Sequence, residues 1–275
     1  MKIKVNGGSL FCAESGNPSG LPILFLHGFP FDHRMWRSQI EATTRLYRAI
    51  AYDIRGHGAS EVGDGQYMIE GHVEDLVGLM DHLEIGRAVV VGLSMGGYIS
   101  LRALEKHPQR FIAAVLCDTR SESDSNEGKL KRYAGIELVR KAGSAGFAES
   151  FVGGLFAPGN LKSHVREKEE IRKTIENTSP LSIAGTLIAL AARTDTTPSL
   201  QSIKVPTLIM VGEFDQLTPP AASEAMHERI PGSQLHIVPA AAHMSNLENP
   251  EFFNERLLQF LKMVADMEAH KTAGS

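Results

Sequence analysis

Cysteine is scarce. Only Cys12 and Cys117 occur in the 275 residues, both in apolar, strand-like runs. That suits two buried thiols better than a disulfide, and a reduced, cytoplasmic protein is the expectation. No apolar stretch reaches the roughly 20 residues that span a bilayer, so no membrane partner is expected. The start, Met1-Lys2-Ile3-Lys4-Val5, enters a strand pattern at once, unlike a signal peptide. No long basic run appears, and the formal charge is −4 with a pI near 6.3. Nucleic acid is therefore not an expected partner. Neither His27, Asp32 and His33 nor Asp53 and His57 have the spacing of a known metal site. The glycine-rich run 92–97 lacks the lysine of a phosphate loop and does not match G-x-G-x-x-G. No metal and no cofactor are expected, and no internal repeat is evident.

The chain is organised around Val89-Val90-Val91-Gly92-Leu93-Ser94-Met95-Gly96-Gly97. The β-branched run reads as a buried strand, and a helical pattern follows to about residue 107. A serine on so sharp a strand-to-helix turn is held strained, with its hydroxyl exposed. Glycines two residues before and after it remove Cβ atoms that would clash. The following helix directs free N–H groups and its positive end at the serine.

Taken in order, residues 2–5 and 10–15 form a hairpin around Asn6-Gly7-Gly8. Strands follow at 21–26, 47–52, 89–91, 111–117, 205–211 and 234–238. Helical patterns lie at 36–45, 68–83, 219–230 and 250–264, and residues 266–275 read as a frayed tail. Residues 119–197 have a different texture, with charged helices and no convincing strand. The expectation is an α/β fold: a mostly parallel, eight-stranded sheet with helices on both faces. Residues 1–118 and 198–275 would form the core, and 119–197 a helical cap over the site. Phe147, Phe151, Phe156, Leu187 and Ile188 are candidate liners of an apolar pocket beneath it. In such sheets the reactive site lies at the carboxyl ends of the strands. Four of those ends carry chemistry: His27-Gly28-Phe29, Ser94, Asp215 and His243.

Several motifs resemble the α/β-hydrolase superfamily over essentially the whole chain. They are Leu26-His27-Gly28, Asp53-Ile54-Arg55-Gly56-His57-Gly58-Ala59-Ser60, Gly92-Leu93-Ser94-Met95-Gly96-Gly97, Val211-Gly212-Glu213-Phe214-Asp215 and His243-Met244-Ser245-Asn246-Leu247-Glu248. Leu26-His27-Gly28-Phe29-Pro30 with Arg34-Met35-Trp36 and the His243–Glu248 motif looks like the branch of 3-oxoadipate enol-lactonases and small carboxylesterases. One departure is Ala242, where many relatives carry glycine; a slightly different loop is expected there.

A serine hydroxyl needs a base, and His243 follows the last strand, in the order Ser, acid, His. His27, His57, His33, His72 and His107 fit less well. Asp215, ending the penultimate strand, is the favoured acid. Its rivals are Glu213, which would share its side in an extended segment, and Asp118, a position some relatives use. The backbone N–H groups of Phe29 and Met95 are the candidate oxyanion hole; Pro30 has no N–H to offer. His27 and Gly28 read as structural, and Arg55 as a clamp on neighbouring carbonyls.

The expected function is a serine hydrolase that cleaves a small carboxylic ester or lactone through an acyl-enzyme. Alternatives are an enol-lactone hydrolase of aromatic catabolism, a perhydrolase or cofactor-free peroxidase, and a non-catalytic small-molecule binding protein. Haloalkane dehalogenation is disfavoured, because it would place aspartate where Ser94 stands.

Overall fold

A computed structural model describes residues 1–160 and 164–273. Asn6 and Gly7 both take positive φ, 46° and 75°, the twist a two-residue hairpin needs. They join β1 (Lys2–Val5) to β2 (Gly8–Gly16). The chain continues as β3 (Pro22–Leu26), α1 (Arg37–Thr43), β4 (Arg48–Tyr52), α2 (Ile69–His82), β5 (Ala88–Leu93), α3 (Met95–Lys106) and β6 (Phe111–Cys117). Three helices follow without a described strand: α4 (Asn126–Val152), α5 (Val165–Asn177) and α6 (Pro180–Ala192). The chain then resumes with β7 (Thr207–Gly212), α7 (Pro220–Arg229), β8 (Gln234–Val238), α8 (Ser245–Glu248) and α9 (Pro250–Ala273).

The described strands form one eight-stranded sheet in the order β1-β2-β4-β3-β5-β6-β7-β8. β2 runs antiparallel to both neighbours, and β3 to β8 are parallel. Helices cover the sheet in pairs, α1 against α9 and α2 against α3. Central strands read as continuous apolar runs because both their faces are covered: every residue of β5, β6 and β7 is buried. Trp36 anchors one layer, 5.4 Å from Phe25 of β3 and 6.2 Å from Phe253 of α9, ring to ring.

Register aligns the strand ends. Leu26 pairs with both Tyr52 and Gly92, Gly92 with Leu116, and Gly212 with Val238. The loops after β3, β4, β5, β6, β7 and β8 therefore emerge along one edge. Cys12 and Cys117 are free and buried, and burial pushes the Cys12 thiol up to about 12. The closing helix corrects an expectation. Residues 266–273 continue α9 instead of fraying, and Glu268 reaches Arg87 at 3.1 Å and Lys271 at 2.6 Å. The last two residues of that expected tail lie outside the described residues.

Candidate active site

Ser94 stands between β5 and α3 at φ 53°, ψ −111°, a conformation costing a non-glycine residue about 1–3 kcal/mol. Its backbone is held from three sides. Its N–H donates to the Cys117 carbonyl at 2.9 Å, and its carbonyl accepts from Tyr98 N at 3.1 Å and Thr119 Oγ1 at 2.9 Å. A Cβ on Gly92 would lie 2.3 Å from the Gly96 carbonyl oxygen, and one on Gly96 2.2 Å from the Leu26 carbonyl oxygen. The two glycines thus let the turn close and press it against the end of β3. Met95 opens α3, so its N–H has no acceptor within the helix.

The loop after β3 lies beside this turn. The His27 Nδ1–H donates to the Gly28 carbonyl at 2.8 Å, and its Nε2 accepts from Ile54 N at 2.9 Å. Burial lowers the pKa of His27, so the neutral ring acts as a brace between two loops. Arg55 is the expected clamp: it reaches the Val5 carbonyl at 3.1 Å and grips Asp75 at 2.7 and 2.8 Å. The ring of Phe29 meets Phe147 at 6.0 Å and Phe151 at 6.1 Å, both from α4.

After β7 the chain turns at once, with Asp215 N donating to the Gly212 carbonyl at 3.1 Å. The Asp215 Oδ1 accepts from the N–H groups of Leu217 and Thr218 at 2.8 and 3.1 Å. Its Oδ2 accepts from Thr218 Oγ1 at 2.7 Å and from His243 Nδ1 at 2.8 Å. Burial alone would raise the Asp215 pKa; the His243 charge and the bonds from His243 and Thr218 outweigh it and hold the carboxyl low. Burial alone would lower the His243 pKa, and Asp215 reverses that and raises it. With Nδ1–H on the carboxylate, a neutral His243 presents an unprotonated Nε2.

The rival acids have other partners. Glu213 was expected on the same side as Asp215, but residues 213–215 turn rather than extend. Its Oε2 accepts from Ala240 N at 3.0 Å. Asp118 is fully buried at the end of β6, with its Oδ1 accepting from Gly212 N at 2.9 Å and its Oδ2 from Ser245 Oγ at 2.5 Å. Burial, and next the nearby Asp215 charge, push the Asp118 carboxyl well above the usual range. Ala242 is buried and takes no left-handed φ, so its methyl fits where a glycine was the commoner expectation.

A cavity of about 650 Å³ lies between α4, α6 and the loop after Asp215. Leu138, Phe147, Phe151 and Leu187 line it together with the charged Asp124, Glu127, Lys131 and Arg132, and Ser94, Asp215 and His243 are not among its lining residues. Two of the expected liners are elsewhere. Ile188 points to solvent at 55% exposure, and Phe156 is buried in the core. Among the described residues, Asp32, His33 and Asp53 bring ligand atoms within 4.8 Å of one another. Sequence spacing concealed that grouping. His33 donates to Asp53 through both N and Nδ1, at 2.8 and 2.6 Å, and Arg34 forks Asp32 at 2.6 to 3.0 Å. The Arg34 charge opposes a cation there, and the group reads as a hydrogen-bonded brace. Sequence reasoning also missed Thr218, although Asp215-x-x-Thr218 before two prolines is a recognisable side-chain-capped turn. Glu248, which the motif alone does not mark as more than its last residue, accepts from Ala242 N, Ala157 N and Asn160 Nδ2.

The alpha/beta hydrolase family profile matches residues 23–256. The chain belongs to that family. A 3-oxoadipate enol-lactonase of Acinetobacter baylyi is 30% identical over 250 residues, 91% of this chain and 92% of the relative. A non-heme haloperoxidase of Rhodococcus erythropolis is 30% identical over 271 residues, 94% of this chain and 97% of its own. Among solved structures, a thermophilic esterase of Thermogutta terrifontis superposes with a TM-score of 0.92 at 36% identity, covering 96% of this chain and 99% of its own. Within the alpha/beta hydrolases the chain thus stands in the branch of enol-lactonases and esterases. No described helix is long and apolar enough to cross a membrane.

Proposed function

We propose that this alpha/beta hydrolase cleaves a small carboxylic ester or lactone with Ser94, His243 and Asp215 as its triad. The observation that carries the reading is the 2.8 Å bond from His243 Nδ1 to a buried Asp215, on the same sheet edge as the strained Ser94 turn. His243 Nε2 takes the proton as Ser94 Oγ attacks the carbonyl carbon. Asp215 holds the tautomer and stabilises the imidazolium. The Phe29 and Met95 N–H groups receive the oxyanion. Collapse expels the alcohol, which takes the proton from His243; water, activated by the same base, then releases the acid. Residues 119–197 act as a cap, with 1–118 and 198–275 as the core, and Phe29, whose ring meets Phe147 and Phe151, joins the cap to the oxyanion loop. The two buried free thiols fit a cytoplasmic setting.

Fluorophosphonate labelling tests the nucleophile: wild type should label and Ser94→Ala should not. A panel of p-nitrophenyl esters, lactones and enol-lactones then tests the substrate class. Turnover of the enol-lactone alone would replace the general ester reading with the narrower one. The haloperoxidase relative supports a second reading, in which hydrogen peroxide replaces water on the acyl-enzyme and releases a peracid. It predicts halogenation of a phenolic or diketone probe that requires peroxide, a short carboxylic acid and a halide, which the released peracid oxidises to hypohalous acid.

A further inference from the structure

Residues 244–248, directly after His243, are fastened on three sides. Ser245 Oγ donates to Asp118 at the end of β6. Asn246 Nδ2 donates to the Met35 carbonyl at 2.9 Å and to Gln39 Oε1 at 3.1 Å, beside and within α1. The third fastening is Glu248, buried at the end of α8. Its Oε1 accepts from the N–H of Ala242, the residue before His243, at 2.7 Å. Its Oε2 accepts from Ala157 N at 2.7 Å and Asn160 Nδ2 at 2.9 Å, both in the cap segment after α4. Two parallel bonds reinforce this seam. Met244 N donates to the Leu155 carbonyl at 3.2 Å, and Asn160 Nδ2 also donates to the Ala240 carbonyl. One carboxyl group thus holds the two peptide segments, 155–160 and 240–244, at a shared point.

We propose that Glu248 is a positioning residue that sets the His243 loop against the cap, so that the placement of the imidazole depends on the seating of residues 155–160. The proposal rests on His243 being the catalytic base. A carboxylate has two acceptor oxygens and can face N–H donors on both sides, whereas an amide has one acceptor and one donor end. Glu248→Gln, nearly isosteric, must therefore turn an NH₂ toward either the histidine loop or the cap. Both sides then lose register, and a base displaced by about 1 Å can cost on the order of 100-fold in rate.

The test compares Glu248→Gln, Asn160→Ala and His243→Ala with wild type. The readouts are amide hydrogen exchange, thermal melting, kcat and KM on p-nitrophenyl butyrate, and the pH profile of kcat/KM. For Glu248→Gln we expect faster exchange in both 155–160 and 240–246. We also expect kcat to fall by roughly 10- to 100-fold with KM nearly unchanged, and the acid limb of the profile to move. Asn160→Ala removes the Nδ2 donor to Glu248 and to the Ala240 carbonyl and should show a smaller change of the same kind, which keeps the test open if Glu248→Gln does not fold. Unchanged exchange in 240–246 would refute the clamp. Faster exchange with unaltered kcat and pH profile would leave Glu248 merely structural and overturn the positioning role. Activity retained in His243→Ala would instead refute the catalytic reading, whatever the exchange data show.

Discussion

Acid should destabilise this protein through histidines that take no part in the proposed chemistry. His57 is buried beside the oxyanion loop, its ring 5.3 Å from His27 and 6.2 Å from Phe29. Its Nδ1 meets the Arg55 carbonyl at 3.2 Å, and its Nε2 has no hydrogen-bond partner among the described residues. Burial, then the His27 and His72 charges, lower its pKa to about 3. Burial lowers that of His72 to about 4. Each is neutral when folded and binds a proton near pH 6.5 once unfolded. The stability each contributes is therefore present above pH 6.5 and lost as pH falls toward its folded pKa. At pH 5 the loss is about 2 kcal/mol per histidine, so about 4 kcal/mol for the two. His27, also lowered by burial, adds to this trend, while His243 and Asp118, both raised, oppose it. A variant isolates one term. His57→Asn keeps a donor for the Arg55 carbonyl but cannot titrate. Urea unfolding at pH 7, 6 and 5 should show wild type losing about 2 kcal/mol more than His57→Asn over that range. Parallel stability curves would refute the reasoning.

Ser94→Ala should lower kcat by on the order of 10⁴ or more with little change in melting temperature; near-wild-type turnover would remove Ser94 from the mechanism. Asp215→Asn should lose activity by up to about 10⁴-fold, because the imidazolium loses its counter-charge. Asp118→Asn, which mimics the neutral acid, and Glu213→Gln, whose carboxyl meets Ala240 N, should both stay active. A large loss in either, with Asp215→Asn active, would move the acid. With Phe147 and Phe151 of α4 packed against Phe29 of the oxyanion loop, kcat/KM should fall in graded steps from butyrate to dodecanoate p-nitrophenyl esters, each methylene mattering by about 1–3 kcal/mol at most. A rising series would indicate an open groove.

Strand positions were legible because buried parallel strands are continuous apolar runs, and their ends announced themselves with Ser94, Asp118 and Asp215. The predicted β8 span matches the observed Gln234–Val238. What failed to show was whatever depends on how loops meet. Glu213 and Asp215 look equivalent in an extended chain; a tight turn separates them. Asp32, His33 and Asp53 lie on different loops, and only folding closes their spacing. The end of α9 carries too few apolar residues to read as packed, and its ion pairs with Arg87 and Lys271 depend on tertiary position and helical phase. Ile188 looked like a pocket residue by composition, but the orientation of α6 turns it outward.

Two buried carboxyls, Asp118 and Asp215, sit near one imidazole, and their environments divide the work between them. Asp215 has two backbone N–H donors, a threonine hydroxyl and the His243 N–H. Four donors favour the charged form. Asp118 has one backbone N–H and one hydroxyl, deeper burial and a neighbouring negative charge. Those conditions favour the neutral form. On the proposed mechanism this asymmetry matters for the base. Burial lowers the His243 pKa; Asp215 overcomes that and raises it, and negative charge at Asp118 pushes it the same way. A histidine held protonated at neutral pH cannot accept the serine proton. The upward shift of Asp118 works against that second charge, and Asp215, held low by its four donors, is the carboxylate that stabilises the imidazolium in the transition state.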